Sequence, residues 1–272
     1  MYMKLIKKTF KKVDNFLLRG KFLNLYLNEL QRRMERRRLS HKSDLFNYGF
    51  SFFYAKNEYA HINKLCDAYG TDKGESKKDI HPYEWESHNY ADLYEMLFRC
   101  RKKNVQLLIE CGLGTNNAAL ISSMGINGKP GASLRMWRDF FPNARIIGVD
   151  IDREILFNEE RIKTFYCDQL KKKSIENFVK TSNLIENSAD IIVDDGLHTF
   201  DAGVSFFEGM IKFLNEDGIY IIEDVSPDDM ILFKDYFSNL LNKFTVHFIL
   251  GKRPNDTYVA DNSLILIFKN DV

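Results

Sequence analysis

Five short apolar runs, each ending at or beside a carboxylate and separated by helical or loop segments, constrain this chain more than any other feature. They are VQLLIEC (105–111), ARIIGVD (144–150), IKTFYCD (162–168), ADIIVDD (189–195) and GIYIIED (218–224). Helical spacing lies between them, as in SLRMWRDFF at 133–141 and FDAGVSFFEGMIKFL at 200–214. Two further runs, KFTVHFIL and SLILIFK, close the chain as a hairpin with a loop between them. Strands alternating with helices predict an α/β fold with a doubly wound, mostly parallel sheet. Carboxylates at the end of a buried strand are costly unless something uses them. In such sheets ligands bind at the carboxyl ends of the strands, so the strand ends are where function is expected.

The first run ends in Ile109-Glu-Cys-Gly-Leu-Gly114, and Gly112 and Gly114 let the backbone turn sharply and approach a ligand. The spacing G-x-G is satisfied, but the third position of a GxGxxG is Asn117, which weakens a pyrophosphate site. Asp150 closes the second run where ribose hydroxyls are usually held, and Asp168 closes the third where a carboxylate can accept from an adenine amino group. Each acid alone reads as a cap or turn residue. Their order along five successive strands carries the argument.

Together LLIECGLG, GVDID, CDQ, DIIVDDGLH and GIYIIED resemble a class I S-adenosylmethionine-dependent methyltransferase. More narrowly, YGTDKG (69–74), SLRMWRDFFPNARIIGVDI, DDGLH and IIED resemble the metal-dependent sugar O-methyltransferases of the mycinamicin and macrocin type, over about residues 61–270. The resemblance implies a seven-stranded sheet in the order 3-2-1-4-5-7-6, with the last strand antiparallel. It implies a cofactor wall of Glu110, Gly112, Gly114, Asp150, Ile151, Asp168 and Asp194, with Tyr69, Thr71 and Lys73 closing over S-adenosylmethionine. It further implies Asp195, Glu223 and Asp224 as metal ligands and His198 as general base. Oxygen ligands without a soft donor favour Mg²⁺, with Mn²⁺ or Ca²⁺ as alternatives. In HPYEWESHNY, His81, Trp85, His88 and Tyr90 are acceptor-pocket candidates, His88 and Tyr90 foremost. Between Gly114 and Ser133 the chain is longer than a tight turn, and Asn116 and Ser133 are its candidates for contacting the methionine carboxylate.

These parts divide the chain into a basic helical arm (1–56), a helical cap segment (57–104) and a methyltransferase domain (105–272). The formal charge of +1 hides an asymmetry, because residues 1–44 hold 13 Lys/Arg against 4 Asp/Glu. The arm therefore suits a solvated helix, an oligomer contact, or peripheral contact of residues 1–43 with an anionic membrane surface. The acidic remainder argues against nucleic acid. Four scattered cysteines and no apolar run approaching ~20 residues point to a cytoplasmic protein, at the inner membrane surface if the arm binds there. The expected partner is a small-molecule or glycan acceptor, with the arm and terminal hairpin as surfaces for a homo-oligomer.

The leading expectation is an O-methyltransferase acting on a sugar, either nucleotide-linked or within a capsule or surface glycan. A phosphate-derived or nitrogen acceptor in polysaccharide modification is the variant of that reading. The contrasting classes are a nicotinamide-dependent dehydrogenase, disfavoured by the missing glycine and the terminal hairpin, and a non-catalytic assembly protein tethered by the arm.

Overall fold

A computed structural model describes residues 50–53, 60–77, 81–252 and 261–270. The expectations for the basic arm and its membrane or oligomer contacts lie outside these residues, apart from one short strand. Among the described residues no helix is long and apolar enough to cross a membrane.

The strands are β1 (Phe50–Phe53), β2 (Leu107–Cys111), β3 (Arg145–Asp150), β4 (Asn158–Glu159), β5 (Ile162–Tyr166), β6 (Ala189–Asp194), β7 (Leu214–Ile222), β8 (Phe244–Lys252) and β9 (Ser263–Lys269). They form one sheet in the order β1-β8-β9-β7-β6-β2-β3-β5-β4. Removing the edge strands β1 and β4 leaves the expected order 3-2-1-4-5-7-6, with β9 antiparallel to both of its neighbours. The two edge strands are additions that the sequence pattern did not announce. β4 is only two residues long and both are exposed, so no hydrophobic alternation marks it.

Period-two alternation divides the apolar residues between two layers. Leu108, Ile146, Ile191, Val193, Ile221 and Leu266 face helices α1 (His61–Tyr69), α2 (Tyr90–Phe98) and α3 (Ala132–Phe140). Leu107, Ile109, Val149, Ile192, Tyr220 and Ile265 face α4 (Lys172–Ser182), α5 (Phe200–Met210) and α6 (Pro227–Ser238). Burial on both faces explains why the central strands read as nearly unbroken apolar runs. Helices α1 and α2, from the segment 57–104, pack in the same core as α3. Gly70 ends α1 in the left-handed conformation, its N–H donating to the Cys66 carbonyl.

Strand register fixes which residues meet at the sheet edge. Cys111 pairs with Val149 on one side and Asp194 on the other, and Asp194 pairs with Ile222. Three parallel strands therefore stop level with one another. The ladder runs one step further, since Asp195 N–H donates to the Cys111 carbonyl and Glu223 N–H to the Asp194 carbonyl, each at 2.9 Å. Residues just past these ends share one edge.

That closeness explains the first glycine. Gly112 has φ +94°, and a Cβ there would lie 1.8 Å from the Asp195 carbonyl oxygen. Gly125 also has positive φ, at +71°, but a Cβ would meet nothing within 4 Å. Gly112→Ala should therefore lower the unfolding free energy by about 2–3 kcal/mol. Gly125→Ala should cost only about 1 kcal/mol, the backbone share alone. Urea denaturation of the two variants measures the difference, and equal costs would remove the steric explanation.

Candidate active site

The level strand ends open onto a cavity of about 380 Å³. One side is lined by Gly112, Gly114, Asp150, Ile151, Asp168 and Gln169. The other is lined by Asp72, Trp85, His88, Asp195, His198 and Asp224. The glycine turn with its neighbouring strand-end acids and a cluster of titratable groups thus share one space.

On the first side, the Asp150 carboxylate accepts from the N–H groups of Leu113 at 2.7 Å and Asp152 at 2.8 Å, which holds the glycine turn against β3. Burial raises its pKa, opposed by those backbone donors. Asp168 is paired with Lys171 at 2.5 Å and still borders the cavity. Gln169 joins the two neighbouring loops, donating to Asp194 at 3.0 Å and accepting from the Leu197 N–H at 2.8 Å. The Asp194 carboxyl lies behind this wall, and burial pushes its pKa up to about 6 against the opposing Gln169 amide. Gln169 was not among the expected site residues, although it follows Cys167-Asp168 directly.

Several expected cofactor contacts have other partners. The Tyr69 hydroxyl donates to Asp139 and accepts from Arg138, away from the cavity. Thr71 is buried, with its carbonyl accepting from Tyr83 at 3.5 Å. Lys73 is only 1% exposed and reaches inward to carboxylates rather than into the cavity. In the loop after β2, the Asn116 amide braces the Gly125 and Gly128 carbonyls, and the Ser133 hydroxyl donates to Glu110. These side chains are turned by local polar needs that the pattern of residue types does not reveal.

On the second side, His198 Nε2 lies 3.2 Å from Asp195 Oδ1, and Nδ1 lies 3.5 Å from Asp224 Oδ2. Ligand-capable atoms of Asp195, His198 and Asp224 all fall within 4.8 Å of one another. His198 and Asp224 both have left-handed backbones, with φ of 55° and 53°. For side-chain-bearing residues this is strained, and such residues collect at functional sites. Glu223 departs from the expected ligand set. Its Oε2 lies 2.5 Å from Lys73 Nζ and its Oε1 accepts from the Tyr94 hydroxyl, so both of its oxygens are engaged.

Tyr90 also differs from its expected place. It is 3% exposed and donates its hydroxyl to Asp224 at 2.9 Å, which makes it a brace for that carboxylate rather than an acceptor contact. His88 stacks on the Tyr90 ring and places Nε2 3.5 Å from Asp224 Oδ1. Its buried Nδ1 has no hydrogen-bond partner among the described residues. Trp85 borders the cavity, its indole N–H donating to Asp72 at 2.8 Å. His81 instead stacks on Tyr83. Asp261 reaches the cavity from the β8–β9 connection, where nothing in the sequence marked it.

The electrostatics follow from this packing. Burial opposes the Asp195 carboxylate, but Lys73 and His198 outweigh it and hold the pKa at about 2. Burial likewise opposes charge on His198, yet Asp224 and Asp195 prevail and raise its pKa to about 10. Burial drives Asp224 and Glu223 upward.

No family model matches the chain. Among curated proteins it is 29% identical over 142 residues to the 8-demethyl-8-alpha-L-rhamnosyl tetracenomycin-C 2'-O-methyltransferase of Streptomyces olivaceus, covering 52% of this chain and 34% of that one. It is 33% identical over 95 residues to the mycinamicin VI 2''-O-methyltransferase of Micromonospora griseorubida, covering 35% and 23%. Its curated relatives are sugar O-methyltransferases. The chain spans about a third or less of the length of these two proteins. Among solved structures, the MycE methyltransferase of mycinamycin biosynthesis in complex with Mg and SAH aligns with a TM-score of 0.54 and 20% identity. That alignment covers 79% of this chain and 55% of MycE, and establishes the methyltransferase fold.

A histidine raised from 6.5 to about 10 stabilises the folded state fully below pH 6.5, and this contribution is lost as pH rises through about 10. In metal-free protein, His198 should remain protonated well above pH 8 by ring-proton NMR. His198→Gln should flatten the stability–pH curve between those limits. Titration of the ring near 6.5 would disprove the two-carboxylate clamp.

Proposed function

We propose that this chain is an S-adenosylmethionine-dependent, divalent-metal-dependent O-methyltransferase whose acceptor is a sugar hydroxyl, on a nucleotide-linked sugar or within a surface glycan. The observation that carries the proposal is the shared cavity, with the glycine turn and Asp150 on one side and the Asp195–His198–Asp224 triad on the other. The relatives methylate sugar-bearing substrates according to their names, and MycE binds Mg and SAH on the same fold.

The triad fits a hard cation. The carboxylates of Asp195 and Asp224 converge beside His198, and oxygen donors with no thiolate suit Mg²⁺ or Mn²⁺. When bound, S-adenosylmethionine supplies an electrophilic methyl group and the divalent cation lowers the pKa of a coordinated hydroxyl. Asp195 and Asp224 would hold that cation. With a cation balancing Asp195 and Asp224, the His198 imidazole would be neutral and would serve as general base for the acceptor hydroxyl. Gly112, Gly114, Asp150 and Ile151 would seat the methyl donor, with Asp168 and Gln169 at its far end. Trp85, Asp72 and His88 offer an aromatic face and hydrogen-bonding groups to a sugar.

His198→Ala should reduce kcat by roughly 10²–10⁴-fold, the usual worth of a general base, with S-adenosylhomocysteine affinity nearly unchanged by calorimetry. Turnover at the wild-type rate would remove His198 from the chemistry. Chelation by EDTA should abolish activity and added Mg²⁺ restore it; activity that survives chelation would refute the metal dependence.

A further inference from the structure

The backbone ladder of β6 ends at Asp195, whose N–H donates to the Cys111 carbonyl. Beyond that point the chain must still deliver His198 to the cavity, and side chains direct the backbone in place of the sheet. The Asp194 carboxylate accepts from the Gly196 N–H, and Gln169 Oε1 accepts from the Leu197 N–H at 2.8 Å. His198 follows with φ 55°, a left-handed backbone that a side-chain-bearing residue keeps only where its surroundings hold it.

Gln169 reaches this loop from the segment after β5. Its Nε2 donates to Asp194 Oδ1 at 3.0 Å, so both ends of the amide are committed to the segment that carries His198. The partners also fix which way the amide faces. Turned over, it would set its oxygen against a carboxylate and its NH₂ against an N–H. Glycine at position 196 belongs to the same arrangement. A Cβ there would lie 1.9 Å from Gln169 Oε1, and Gly196 is not among the left-handed glycines, so it provides room for the amide rather than backbone freedom. Gln169 also lines the cavity beside Asp168 and Leu170. One side chain thus borders the space assigned to the methyl donor and holds the loop of the base.

We propose that Gln169 is a positioning residue for His198: its amide clamps Asp194 and the Leu197 N–H, and this clamp sets the left-handed turn that brings the imidazole to Asp195 and Asp224. The importance of that turn for catalysis rests on the methyltransferase reading above, whereas the clamp itself is tested without it.

Methionine has nearly the shape of glutamine but no N–H donor and only a weakly accepting sulfur, so Gln169→Met separates hydrogen bonding from packing. Nuclear magnetic resonance on the protein free of metal and cofactor reads the result at two residues. In wild type the Leu197 amide should exchange slowly with D₂O, and His198 should show the strong intraresidue HN–Hα Overhauser effect of a residue with positive φ. Gln169→Met should speed Leu197 exchange about five- to tenfold, the worth of one hydrogen bond, and weaken the His198 effect. Amides 191–193, inside the strand, should keep their wild-type exchange rates. Gly196→Ala displaces the amide without altering Gln169 and should reproduce both changes.

Wild-type Leu197 exchange and a wild-type His198 Overhauser effect in Gln169→Met would overturn the inference, because shape alone would then suffice. Acceleration of equal size at 191–193 would overturn it too, as a general loosening of the sheet. If Gln169→Met does not fold, Gly196→Ala decides on the same two signals. Activity that survives chelation would refute the metal-dependent reading and leave these signals unaffected, so the two failures are distinguishable.

Discussion

The level ending of three parallel strands is the constraint on which the site depends. β2, β6 and β7 are locked by consecutive backbone hydrogen bonds, so the residues immediately past them emerge side by side. A one-residue slip would send alternating side chains to the opposite face and empty the site. The apolar residues preceding the strand ends prevent that slip, because each is buried in one of two helix-covered layers. Hydrophobic burial far from the chemistry thus sets the position of every acid within it.

That arrangement has an electrostatic cost. Glu110, Glu223 and Asp224 are buried beside Asp195 at one edge, where burial raises their pKa and the neighbouring carboxylate charges add to the effect. Lys73 meets the cost on the inner side. Burial works against its charge, yet Asp195, Glu223 and Glu110 keep its pKa well above the ordinary range. On the outer side His198 is the only cation in contact with both Asp195 and Asp224 among the described residues, and its left-handed backbone places it there. The site is therefore balanced toward accepting positive charge at the cavity surface. This is the property a metal-assisted deprotonation requires.

The alternation of apolar runs with helices and the terminal hairpin were enough to read a doubly wound, mostly parallel sheet and the edge on which the cavity opens, while the strand order came from the family resemblance. Of the residues singled out in the sequence, Gly112, Asp150, Ile151, Asp168, Asp195, His198 and Asp224 all border the cavity. What the sequence left undecided was the direction in which each side chain turns. Glu223 and Asp224 are adjacent and chemically alike, yet one faces Lys73 and Tyr94 while the other faces His198. Tyr90 and His88 came from one aromatic run, but only His88 reaches the cavity.

The sequence alone determined the fold class and the strand ends, because hydrophobic periodicity and turn residues act locally and leave a readable pattern. Tertiary structure alone decided the division of the acids between an internal ammonium and an open triad. Lys73 lies 37 residues before Glu110 and 150 before Glu223, and only the folded sheet brings those charges within contact. Electrostatic partnership depends on distance in space, and no spacing along the chain encodes it.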